Sequence, residues 1–443
     1  VQNGFARVYE MGPAGAQIFG YVGAPDKPVS NTPFFTAGVT GLERRFNQQL
    51  AGTPGQTVMI TNAVGRVTGE DKSQFEAPIT GANVPTTIND SAQRVLYDAL
   101  ESHRAGCGVV LDIETGDVLA MVSTPSFDPN IFGADDADEY IAGLRSDFAK
   151  PFMNKTLEGL YPPGSTFKII VALAALEAGA ITPRDKVFCP GYWDYGDRRY
   201  HCWEAKGHGH MDLAGALKHS CDIYFYQLAL KIGIDAIKNM ALRLGLSQEY
   251  MSDIFARQMT GVIPDRKWKE KNIGVRWVHG DTVISGIGQG FILTNCMQLA
   301  VMMARVASNR EVSPRLIKVD AKPTFPELGL QKKNIEYVFR GLEEVTRPGG
   351  TAAGSAINVG GKKMGGKTGT SQVRSISKAE RLSGVLTNEQ LSWNMRNHGL
   401  FVGYAPTDKP KYAVCIVTEH SGGSGPAART AAAVMRSLLK EEQ

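Results

Sequence analysis

A chain of 443 residues, 43% of them hydrophobic and 21% charged, is long enough for more than one packed core and has an ordinary globular composition. Its net charge of +4 is too small to indicate a nucleic-acid partner, although a weak positive field suits an anionic polymer or a membrane surface. Six cysteines are too few for a disulfide scaffold, and no apolar run reaches the roughly 18 residues of a membrane span. The opening Val1-Gln-Asn-Gly lacks both an initiator Met and a basic-then-apolar leader and reads as mid-domain, so a preceding segment is expected.

Residues 1–85 are rich in Gly, Pro, Thr and Val, with a short strand expected over 56–62 and a charged helical patch at 41–46, which predicts a small, mostly β region. A boundary is expected near Pro85. Beyond it, Asn89 or Asp90 can cap a helix over 91–102 that places Val95, Leu96, Ala99 and Leu100 on one face. Residues 107–113 and 117–123 flank Glu114-Thr-Gly116 and read as a β-hairpin. Further strand-like runs come only at 364–373, 398–404 and 411–418, followed by a helix over 427–439, and the chain between reads as mainly helical. Pairing the two groups of strands predicts an α/β fold over 86–443, a central antiparallel sheet flanked by helices. No internal repeat points to a solenoid or propeller.

Three short elements carry chemistry. Tyr161-Pro-Pro-Gly-Ser165-Thr-Phe-Lys168 precedes Ile169–Leu176, which is apolar on every face and so predicts a buried helix. The prolines and glycine set Ser165 at the helix N-terminus, where free N–H groups favour developing negative charge. Lys168 lies one turn on; an ammonium in apolar surroundings gives up its proton more readily than in water, which suits it to accept the Ser165 hydroxyl proton. Ser220-Cys-Asp222 then opens a second apolar helix, either as a plain cap or as a proton shuttle in which Asp222 orients the lysine. Gly365-Gly-Lys367-Thr368-Gly369-Thr370 would weaken an ordinary strand but lets a second backbone come close, so an extended peptide can add alongside. There Lys367 would meet a terminal carboxylate, Thr368 and Thr370 would offer hydroxyls, and an N–H near Thr370 would join that of Ser165 as oxyanion donors.

S-x-x-K, S-x-[DN] and K-T-G in this order form the motif set of penicillin-binding proteins and serine β-lactamases. With Val109–Ser123, Pro125–Asn130, Gly286–Gly290 and Gly399–Pro406, the chain resembles class B penicillin-binding proteins over nearly its whole length. Asp222 in place of Asn, and the run Lys150-Pro-Phe-Met-Asn-Lys, resemble the penicillin-binding protein 2 type that serves cell elongation. The resemblance implies a peptidoglycan D,D-transpeptidase with Ser165, Lys168, Ser220, Asp222 and Lys367 catalytic and Thr368, Gly369 and Thr370 binding substrate, acylated by β-lactams and needing no cofactor for the transfer. It also implies that residues 1–85 are part of a pedestal facing a glycan polymerase and other elongation proteins, with a membrane anchor ahead of Val1 and a periplasmic location. No E-x-x-L-N element follows Ser220, so the deacylating glutamate of class A β-lactamases is not expected. A D,D-carboxypeptidase or β-lactamase-like hydrolase, with water in place of the acceptor amine, and a β-lactam-binding sensor or inactive scaffold of the elongation machinery are the competing readings.

The Cys and His residues between 185 and 221 stay open to three readings. Asp185, Cys202, His208 and Cys221 are residue types zinc takes, and some members of the resembled family carry zinc beside the site. A Cys189–Cys202 disulfide and free thiols are the other two. Residues 299–306 read as core helix, and His398 and His420 as structural.

Overall fold

Alternation of apolar residues on strands buried from both sides fixes the centre of the molecule. The computed structural model describes residues 7–23, 36–53, 55–133, 137–374, 380 and 384–442. Its main sheet has five strands: β1 (Gly106–Asp112), β2 (Val118–Thr124), β3 (Gly365–Ser371), β4 (His398–Ala405) and β5 (Tyr412–Thr418). The order is β3-β4-β5-β1-β2, with every neighbour antiparallel. The N-terminal hairpin and the C-terminal strands join where Tyr412 faces Asp112 and Thr418 faces Gly106. The sheet predicted from widely separated runs is therefore the one formed, with β3 and β2 at its two edges.

Successive side chains point to opposite faces of a strand. On one face Val110, Ala120, Val122, Phe401, Val414 and Ile416 pack with α1 (Asp90–Glu101) and the C-terminal helix Gly425–Glu441. On the other, Cys107, Val109, Leu111, Met121, Leu400, Val402 and Cys415 pack against the inserted block: α2 (Lys168–Glu177), α3 (Asp222–Arg243), α4 (Cys296–Ser308) and α5 (Lys332–Val345). Asn89 caps α1, its side chain accepting from Ala92 N at 2.8 Å. α2 is buried along its length from Lys168 to Leu176, as a helix without a polar face must be.

The block is less helical than expected. Val187–Cys189 pairs with Gly209–Met211, and Tyr192–Tyr195 pairs with Arg198–His201. Strands of three and four residues carry too little alternation to stand out from loop. Near the N-terminus, Gln56–Thr61 and Val67–Glu76 form a two-stranded hairpin that leaves Met59, Ile60 and Phe75 exposed, while Ile18 and Leu42 join the main core.

Candidate active site

Pro162 and Pro163 stop α2 from extending backwards, because proline lacks an N–H and disfavours helix before it. Ser165 consequently lies in a single 3-10 turn, Gly164–Phe167, and the α-helix proper begins at Lys168. Gly164 has φ 54°, and a Cβ there would stand 2.5 Å from Thr370 O, so only glycine lets this turn press against β3. Two further bonds clamp the junction: Gly164 N donates to Gly288 O at 2.9 Å, and Gln289 Nε2 to Thr370 O at 3.0 Å. The Gly286–Gly290 turn thus holds the serine turn and the strand together.

Lys168 is fully buried. Its ammonium donates to Asp222 Oδ1 at 2.7 Å, Ser220 O at 2.9 Å and Ser220 Oγ at 3.2 Å. An ammonium has three donors, so all are engaged. Among the described residues no hydrogen bond joins Ser165 Oγ to Lys168; the lysine faces the Ser220–Asp222 motif instead. Asp222 Oδ2 accepts from Trp203 N at 2.9 Å.

Lys367, on β3, is likewise fully buried, its Nζ donating to Thr368 O at 3.2 Å. Burial foremost, and then the positive charge of Lys168, hold its pKa well below the ordinary lysine value. Lys168 takes the one carboxylate, Asp222, whereas among the described residues Lys367 has no ion-pair partner, so the missing complement is a second negative charge. Thr368 Oγ1 is 2.7 Å from Thr351 Oγ1, which lies on the exposed loop after α5. A Cβ on Gly369 would meet Pro163 O and Thr166 Cγ2 at 2.9 Å, which accounts for the glycine.

Beside this centre the ligand atoms of Cys189, Cys202, His208 and Cys221 all lie within 4.8 Å of one another. His208 Nδ1 is 3.4 Å from Cys202 Sγ and 3.6 Å from Cys189 Sγ. Zinc bonds of about 2.0–2.1 Å to nitrogen and 2.3 Å to sulfur in a tetrahedron set such edges at about 3.5 Å, so the three thiols and the imidazole fit that ion. The hydrogen bond from Cys221, opposed by burial, lowers the pKa of Cys202, which favours the thiolate a metal binds. Asp185 is not in this set: its exposed carboxylate accepts from Thr182 Oγ1 at 2.6 Å and Thr182 N at 3.1 Å. Cys189 takes the fourth place because strand pairing sets it opposite Gly209, next to His208. All six cysteines are free, so Cys189 and Cys202 form no disulfide.

The sequence reading missed Trp203, Gln289 and Thr351, all of which bond to motif residues. None sits in a motif that names it; Gln289 alone lay in a run already singled out. His398 and His420 meet edge to face with ring centroids 4.3 Å apart at the start of β4, His420 N donating to His398 Nδ1 at 2.9 Å, as structural histidines do.

A serine at an open helix start, a buried lysine network across from it and a sheet edge alongside define an active-site-serine acyltransferase. The family model of the penicillin binding protein transpeptidase domain matches residues 106–440, and that of the penicillin-binding protein dimerisation domain matches residues 1–86. The chain belongs to the penicillin-binding protein transpeptidase family. It is similar to the peptidoglycan D,D-transpeptidase MrdA of Haemophilus influenzae, at 32% identity over 99% of this chain and 70% of the relative. Among solved structures it resembles Pseudomonas aeruginosa PBP2 in complex with WCK 5153, with a TM-score of 0.80, 33% identity, and 98% of this chain and 90% of that one covered. It also resembles Helicobacter pylori PBP2 in its complex with MreC, with a TM-score of 0.82, 27% identity, and 98% and 79% covered.

Proposed function

We propose that this chain is a peptidoglycan D,D-transpeptidase of the elongation type, with Ser165 as its nucleophile. The observation that carries the reading is the charge imbalance at the site: two buried lysines, one aspartate, and an open sheet edge running past the serine. A peptide ending in a carboxylate supplies both the missing charge and the missing strand.

The stem peptide adds beside β3 with its terminal carboxylate toward Lys367 and Thr368. With Lys168 acting as the free amine, its ammonium proton having been released to solvent, the Ser165 hydroxyl oxygen attacks the penultimate D-Ala carbonyl as its own proton passes to that amine, with Ser220 beside it. N–H groups at Ser165 and near Thr370 stabilise the oxyanion. Collapse expels the terminal D-Ala, whose nitrogen takes up that proton. A neighbouring stem's amine then attacks the ester, gives up a proton by the same route and restores the serine hydroxyl. A β-lactam presents a strained amide and a carboxylate to the same groups and leaves Ser165 acylated.

Cys189, Cys202, His208 and Cys221 would hold a structural zinc, which takes no part in acyl transfer and ties the two small hairpins to the start of α3. About one zinc per purified chain is the expected analysis. Residues 1–85 serve as the pedestal that meets the glycan polymerase and elongation-complex proteins; the MreC-bound relative supports this. Among the described residues no helix is long and apolar enough to cross a membrane. A peptidoglycan substrate fits a periplasmic location.

Fluorescent penicillin tests the acyl-enzyme: the intact chain should be labelled and Ser165→Ala should not. Labelling that survives in the alanine variant would remove Ser165 from the chemistry. Incubation with a donor stem and an acceptor amine then separates transfer from hydrolysis.

A further inference from the structure

We infer that Trp203 is a positioning residue for the reaction, holding both ends of the Ser220–Asp222 motif against Lys168. Its backbone N–H donates to Asp222 Oδ2 at 2.9 Å, leaving Oδ1 for the lysine. Its indole Nε1–H is shared between Ser220 O at 3.1 Å and His219 O at 3.0 Å. Ser220 O is also the carbonyl that accepts from Lys168 Nζ at 2.9 Å, so one oxygen joins the tryptophan to the lysine.

Ser220 needs such a hold. It sits at φ 55°, a left-handed conformation that is strained for a non-glycine residue. That conformation turns its carbonyl and hydroxyl together onto Lys168 Nζ. Core packing does not explain the tryptophan, because its side chain is 58% exposed. What the structure uses is a donor on a rigid ring that carries no acceptor, and among uncharged side chains the indole supplies that. The His208 ring meets Trp203 edge-on at 5.4 Å and limits the ring's rotation.

The inference rests on the acyl-enzyme reading, and the two fail differently: Ser165→Ala decides the reading, whereas Trp203 variants decide the positioning. The test is the rate of fluorescent-penicillin acylation across reagent concentrations, measured on the intact chain with Trp203→Phe and with 3-benzothienylalanine at 203, which keeps the indole shape but lacks the N–H. Both should lower the maximal acylation rate roughly five- to tenfold, the worth of one such hydrogen bond, and leave the half-saturating concentration within about twofold of the parent. If Trp203→Phe does not fold, the benzothienyl chain, which preserves packing, decides alone. Parental rates in the benzothienyl chain overturn the inference. So does a raised half-saturating concentration at unchanged maximal rate, which would make Trp203 a ligand contact. Because Cys202 is adjacent, zinc content is measured alongside, and a rate loss that tracks metal loss overturns it as well.

Discussion

The two flanks of Ser165 are held by different physics. On the sheet side, Lys367, Thr368 and Thr370 ride on β3, whose seven residues pair in unbroken register with β4. On the helical side, Ser220 and Asp222 depend on a few long-range bonds: Lys168 to Asp222 and Ser220, Trp203 to both, and Asp222 N to Cys202 Sγ at 3.4 Å. A ladder is redundant, so losing one contact leaves the others in place. A handful of bonds converging on a buried charge has no such reserve, which teaches that the same substitution costs more on the helical flank.

The largest expected effect is there. Asp222→Ala leaves the Lys168 ammonium buried without its counter-ion, an arrangement that costs about 3–5 kcal/mol. Denaturant unfolding should show a loss of that size together with abolished labelling, and an unfolding midpoint near the parent's would break the contrast.

An intermediate effect belongs to the far end of the sheet side. Burial, assisted by His420, pushes His398 down to about 3. Between about pH 6.5 and 3 the unfolded chain binds a proton that the folded chain refuses, so stability declines as pH falls through this window, by at most about 1.4 kcal/mol per pH unit. His398→Asn, which keeps an acceptor for His420 N–H, should flatten the slope of unfolding free energy against pH between 6.5 and 4. An unchanged slope would move the acid sensitivity elsewhere.

The smallest effect is Thr351→Val, which removes one hydroxyl partner of Thr368 while the β3 ladder stays whole. A single hydrogen bond is worth about 1 kcal/mol, so a few-fold rise in the half-saturating penicillin concentration is expected, with little change in melting temperature. A loss comparable to that of Asp222→Ala would show the sheet flank to be no more redundant than the helical one.

How far these features could be read in advance depended on their range along the chain. The β1–β2 hairpin, α1 with its Asn89 cap, the buried α2 and the C-terminal helix are local patterns of two or 3.6 residues, and each formed where the pattern placed it. The three motifs were legible because each packs its chemistry into three to six residues. Asp185 was chosen as a ligand over Cys189 because donor type alone does not distinguish them; pairing of Val187–Cys189 with Gly209–Met211 does.

The sequence by itself determined which side chains bear the chemistry and that strands from both ends must share one sheet, since glycine, proline and apolar periodicity act through neighbours a few residues away. Only the tertiary structure decided that Lys168 turns to Asp222 and Ser220, that Thr351, Gln289 and Trp203 brace the motifs, and that Cys189 completes the Cys/His set. Those choices are contacts between residues 13 to 81 positions apart, made by packing and hydrogen-bond satisfaction that no local pattern encodes.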